Sequence, residues 1–372
     1  MKRVALVVAL VAVLPVIGNA QKPKLPRIIF TSDAGTLDLP DMFSPGKNPD
    51  LAWNQSRRII REFKFYFGQF WKNPNEDVRR LNGGNNYNNL VSAGAMQAVS
   101  QRYLMNLSFE VGAIKAFNCL NTISGYQQSV QDTSDLATNV YENGGTLNSY
   151  AIDSALIGCD DTPTDSGRKI GQWSVDVQKE SDRKAQLALA RNPGPLFTPV
   201  LVGDIEPYPA RSLVEHLDYL REIGLERAKR GLPSIAFYDL DIDIVRVNRE
   251  QLVQDFRALL EFCRSAGIEV GVIVNGEDSA SLATDNEQYY FQTATFRLVQ
   301  FKQLGLLDKV QRVVVQSWAR RSRKAGEDSG SLDIPINLPD TADYTHTNFV
   351  LHVWRCILGT VDDCGDYPRS PG

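Results

Sequence analysis

The chain has 372 residues, 43% hydrophobic and 23% charged, with 40 Lys and Arg against 44 Asp and Glu for a formal net charge of −4. This composition can bury a large core and excludes disordered, collagen-like and coiled-coil classes. No basic excess is present to hold a polyanion, so nucleic acid is not an expected partner. Three His and no CxxC pair argue against a structural zinc site.

Met1-Lys2-Arg3 is a short cationic start, Val4 to Ile17 is almost unbrokenly apolar, and Gly18-Asn19-Ala20 places small residues ahead of a cleavage point. The pattern predicts a signal peptide over 1–20 and a secreted or periplasmic mature chain. A membrane anchor is the competing reading, but 14 apolar residues interrupted by Pro15 fall short of the roughly 20 needed to span. No later stretch predicts a span.

Short β-branched runs then recur, separated by longer segments. They predict eight strands: Arg27–Ser32, Glu62–Phe67, Phe109–Ala116, Leu147–Asp153, Pro199–Glu206, Ser234–Asp241, Ile268–Asn275 and Val310–Trp318. Helical periodicity is expected over Leu51–Arg61, Ser212–Arg230, Arg249–Ala266 and Thr347–Leu358. Gly231 and Gly267 stand where a helix stops. Strand and helix in alternation, eight times, predict a (β/α)8 TIM-like barrel filling 21–372 as one domain; an open doubly wound sheet is the rival. Long loops rich in Gly, Asn, Pro and Ser are expected at Asp33–Asp50, Lys72–Asn88, Asn118–Glu142, Gly158–Arg168 and Arg320–Thr345. Most follow a strand, which would build up the carboxyl face where barrel enzymes keep their sites. Export permits disulfides, and the five Cys sort into the pairs Cys119–Cys159 and Cys356–Cys364, with Cys263 a buried free thiol.

The chemistry is expected at strand ends. In Val202-Gly203-Asp204-Ile205-Glu206-Pro207-Tyr208, alternation puts Asp204 and Glu206 on one side and Ile205 on the other. In the next strand Asp239, Asp241 and Asp243 share a side. Carboxyls crowded on neighbouring strands repel one another, so proton affinity rises, a cation binds, or Lys or Arg answers them. Asp243 reads as a helix-capping or Arg-paired acid. Asn275 and Glu277, Gln316 and Trp318, Lys115, Asp153 and Tyr208 add the amides, charges and rings that would hydrogen-bond and stack on a sugar. Lys64 and Tyr66 read as half core and half rim. The three His lie away from strand ends, and no GxSxG, Walker loop or GxGxxG follows a strand.

The runs Gly203-Asp204-Ile205-Glu206-Pro207-Tyr208-Pro209, Asp239-Leu240-Asp241-Ile242-Asp243 and Val274-Asn275-Gly276-Glu277 resemble strand ends of secreted (β/α)8 glycoside hydrolases. The alternating acids resemble those of chitinase-like barrels, with Asp243 where that family's proton donor is Glu. The resemblance implies a carbohydrate-active barrel whose partner is an oligo- or polysaccharide. Glu206 would then be the general acid/base, Asp239 or Asp241 the nucleophile, base or electrostatic stabiliser, and Asp204 an orienting acid. No cofactor is expected. Two other readings use the same acids: a divalent cation held by Asp204, Glu206, Asp239 and Asp241, or a noncatalytic carbohydrate-binding or cell-envelope barrel.

Overall fold

A computed structural model describes residues 25–32, 38–70, 87–112, 118–159, 161–276, 286–316, 319–321, 332–334 and 336–360. Eight parallel strands close into a barrel in chain order: β1 Arg27–Thr31, β2 Ile60–Tyr66, β3 Asn106–Val111, β4 Leu147–Asp153, β5 Leu201–Tyr208, β6 Phe237–Ile242, β7 Glu269–Val274 and β8 Arg312–Gln316. β8 returns to β1 with Arg27 beside Arg312 and Thr31 beside Gln316, so no edge is left open. The (β/α)8 expectation therefore holds, and the open sheet does not. A short antiparallel pair, β9 Ala319–Arg321 and β10 Leu332–Ile334, lies outside the barrel sheet.

The long helices are α1 Ile123–Glu142, α2 Pro163–Arg191, α3 Leu213–Ala228, α4 Arg249–Ala266, α5 Asn286–Gln303 and α6 His346–Leu358. Their ends follow local chemistry. Ser212 and Glu215 form a capping box at the start of α3, and Gly267 and Gly359 take left-handed backbone after α4 and α6, at φ 72° and 67°. Two expectations fail. Leu51–Arg61 is not a helix but two single turns, Pro49–Ala52 and Asn54–Arg57, after which the chain is already extended at Ile60. Asn118–Glu142 is mostly helix rather than loop: Thr122 Oγ1 caps it by accepting the Gly125 N–H at 3.0 Å. Its buried face mixes Leu136, Val140 and Tyr141 with Ser129, Thr133, Ser134 and Ala137, and the small and polar members hide the period.

Each strand has one inner and one outer side. Ile29, Ala151, Ile205, Phe237, Ile273 and Val314 pack together inside the barrel. Their strand neighbours Ile28, Phe30, Tyr150, Ile152, Tyr238, Leu240, Val272, Val313 and Val315 belong to the large core beneath the helices. The interior is tight: a Cβ on Gly203 would lie 2.2 Å from the Phe237 ring.

Candidate active site

The inner side of the barrel carries charge in two layers. In the lower layer Arg312 holds Asp239 through two hydrogen bonds, Nε to Oδ1 at 2.9 Å and Nη2 to Oδ2 at 3.1 Å. The same guanidinium reaches Glu62 at 3.3 and 3.4 Å, and Ser108 Oγ donates to Glu62 Oε1 at 2.8 Å. It also lies 3.8 Å over the Phe237 ring. All of these charges are buried, and Arg312, aided by Ser108, holds the Glu62 carboxyl below its usual range against the opposing effect of burial.

The upper layer is the carboxyl mouth. Lys64 and Tyr66 continue the inner side of β2 past Glu62, as Glu110 does on β3 past Ser108. Lys64, fully buried, has Nζ 3.0 Å from Glu110 Oε2 and donates to Gln316 Oε1 at 3.4 Å. Gln316 Nε2 in turn donates to the Tyr66 hydroxyl at 3.1 Å and to Glu110 Oε2 at 3.3 Å. On the next part of the ring Arg297, from α5, donates to Asn275 Oδ1 and stands 3.9 Å from Asp241 Oδ1. Asp153 closes the circle and accepts from Ser154 Oγ at 2.7 Å. Thr31, between Lys64 and Gln316 on the strand ring, is fully buried, and its Oγ1 finds no hydrogen-bond partner among the described residues.

Two of these acids have raised proton affinity. Burial pushes Glu110 up to about 7; Lys64 opposes the shift, and the nearby Asp153 and Asp241 charges add to it. Burial also pushes Asp241 up to about 6, against Arg297 and with the charges of Asp153 and Asp243. The mouth therefore combines acids that hold a proton close to neutrality with fixed cations beside them, a set able to donate and accept protons at one ligand.

Asp241, Asp153, Asn275 and Gln316 stand in this mouth as the sequence suggests, whereas Lys115, Glu277 and Trp318 lie outside the described residues. Four expected site residues are elsewhere. Asp204, Glu206 and Tyr208 do share a side of β5, but it is the outer one, because Ile205 is the residue that fills the barrel. Asp204 faces Tyr219 of α3, and burial pushes its carboxyl up to about 8. Glu206 Oε1 accepts the Leu156 N–H at 2.6 Å, and the Tyr208 hydroxyl donates to Asp255 on α4 at 2.5 Å. Asp239 faces inward but is committed to Arg312 below the mouth. Asp204, Glu206, Asp239 and Asp241 consequently do not converge as a cation site, and among the described residues no group of three or more His, Cys, Asp and Glu is arranged for a metal ion.

Sequence reasoning misses Glu110, Arg297 and Thr31. For Glu110 a signal exists: Asn106-Leu-Ser108-Phe-Glu110-Val alternates polar and apolar from Asn106 onward, but starting the strand at Phe109 loses that phase. Arg297 comes from a helix, and no local pattern announces its reach to Asn275. Asp243 pairs with Arg246 at 3.4 Å, as expected of a rim acid. His216 is buried outside the barrel wall against the Tyr238 hydroxyl at 2.6 Å, and His346 against Phe30.

The fold and the mouth together define a (β/α)8 barrel with an acid-rich carboxyl face. The sequence matches no protein-family model and no curated protein. Among solved structures the chain is similar to a GH10 protein of Paenibacillus barcinonensis, with 10% identity, TM-score 0.48, and coverage of 92% of this chain and 97% of that one. It is similar to native xylanase 10B from Thermotoga maritima at 12% identity and TM-score 0.45, covering 91% and 96%. It is likewise similar to a probable tagatose 6-phosphate kinase from Sinorhizobium meliloti at 9% identity and TM-score 0.43, covering 78% and 64%. At these identities and scores the likenesses carry no argument about activity, which rests on the mouth itself.

Proposed function

We propose that this chain is an exported carbohydrate-active enzyme that hydrolyses glycosidic bonds at the carboxyl mouth of its barrel. The observation that carries the reading is the placement of Glu110 and Asp241 on the inner side of one barrel mouth, each with raised proton affinity. Glycoside hydrolysis needs one carboxyl protonated and its partner ionised at the same pH. Glu110, with the higher affinity, is the proton donor to the leaving oxygen. Asp241, ionised first and flanked by Arg297, is the base or nucleophile, and Asp153 adds negative charge that favours an oxocarbenium-like transition state. Asn275, Gln316, Tyr66 and Thr31 supply the hydroxyl-directed hydrogen bonds. Lys64 and Arg297 balance the acids in place, which favours this reading over a divalent-cation hydrolase. The leader-like composition expected of 1–20 and the Cys119–Cys159 disulfide support export.

The test is incubation of the purified protein with a glycan library, read by mass spectrometry, beside Glu110→Gln and Asp241→Asn. Cleaved products from the native protein that vanish in both variants support the proposal. Saccharide bound without any product selects the noncatalytic barrel instead.

A further inference from the structure

Glu206 is a fully buried acid with no part in the mouth, so its position needs another account. It sits behind the barrel wall, facing the irregular turn that leaves β4 directly after Asp153. Glu206 Oε1 accepts the N–H of Leu156, itself fully buried, at 2.6 Å. The turn begins at Ser154 in left-handed backbone, φ 52°, where a residue with a side chain is held only by its surroundings. The Ser154 N–H donates to the Ile205 carbonyl at 2.8 Å, its hydroxyl donates to Asp153 at 2.7 Å, and the Gly158 N–H returns to the Ser154 carbonyl at 2.9 Å. Cys159, at the far end, is bonded to Cys119. Leu156 belongs to no strand or helix, so its buried N–H depends on a side chain for an acceptor, and a carboxylate is a strong one.

We propose that Glu206 is a positioning residue: from outside the barrel its carboxylate fixes the turn 154–159, and through Ser154 it sets where Asp153 stands in the mouth. The consequence for turnover rests on the glycosidase reading; the clamp on the turn does not. Glu206→Gln keeps an oxygen acceptor in the same place, whereas Glu206→Leu removes it at similar bulk. A proton-transferring Glu206 would lose its function in both.

The experiment measures amide hydrogen exchange at Leu156 and kcat/KM for glycan cleavage on the full chain. In the native protein the Leu156 amide exchanges slowly although it lies in a loop. Glu206→Leu speeds that exchange about tenfold or more and lowers kcat/KM about 10- to 100-fold through misplacement of Asp153. Glu206→Gln restores slow exchange and brings kcat/KM back to within about threefold of native, since hydrogen bonds to neutral and charged acceptors differ modestly. Equal loss of turnover in both variants would overturn the proposal. So would a Leu156 amide in the native protein that exchanges as fast as an open loop, a result that needs no variant to fold. If the native protein cleaves no glycan, the exchange data still decide the clamp, and the reading that fails is that of the mouth.

Discussion

Glu110 and Lys64 meet at 3.0 Å inside the barrel, where burial raises the proton affinity of Glu110 and Lys64 holds it back. Asp241 gives up its proton above about 6, and Glu110 keeps its own below about 7. With Asp241 acting ionised and Glu110 acting protonated, kcat/KM rises through about 6 and falls through about 7, a narrow bell measured by initial rates across pH. Lys64→Met removes the cation that opposes Glu110's upward shift, so the alkaline limb moves to higher pH. Glu110→Gln lowers kcat/KM by about 10²–10⁴-fold, the usual contribution of a positioned acid, with thermal stability measured alongside to separate catalysis from folding. At this scale the sequence pointed to Asp241, Asp153, Asn275 and Gln316, which the fold places on one mouth, and not to Glu110 or Arg297. Alternation states which residues share a side of a strand, and Asp204 with Glu206 do; it does not state which side faces the barrel. Only packing decides that. Ile205 beside Ala151 and Phe237 turns both acids out to the helices, and Arg312, distant in the chain, removes Asp239 from the mouth.

Among elements, strand positions and well-capped helices were legible because their signals are local: β-branched runs, Ser212 with Glu215, Gly267. The helix over Ile123–Glu142 was not, since its buried face mixes Leu136, Val140 and Tyr141 with Ser129, Asp132, Thr133, Ser134 and Asn139, which blurs the apolar period. The short turn Asn118–Leu120 ahead of that helix is tied to the β4 turn by the Cys119–Cys159 disulfide, which formed as expected, while Cys364 lies outside the described residues. The disulfide spans 40 residues in sequence, so Cys119→Ser with Cys159→Ser should cost about 4 kcal/mol by the chain-entropy relation, checked by denaturant unfolding. The lower charged layer joins β2, β6 and β8. Arg312→Met leaves Glu62 and Asp239 buried without their cation, and a loss of about 3–5 kcal/mol is expected in the same measurement. Cys263, buried in α4 with its thiol pushed up to about 12 by burial, is the free cysteine among the described residues.

For the molecule as a whole, an acid outside the barrel wall makes stability depend on pH. Burial raises Asp204 from an ordinary 3.8 to about 8, so the folded state holds a proton that the unfolded chain releases near 4. Its contribution is greatest in acid and is lost progressively as pH rises from about 4 to about 8, levelling off beyond. Asp204→Asn, which needs no proton, should therefore be more stable than native by a margin that widens across that range, as read by unfolding free energy against pH. The floor of Glu62, Arg312 and Asp239 has a last consequence. With Phe237 packed under the guanidinium it closes the lumen, and beyond it lies a hollow of about 430 Å³ at the opposite pole, lined by Arg27, Asn106 and Glu269 among others. A molecule held at one pole therefore has no path along the barrel axis to the other.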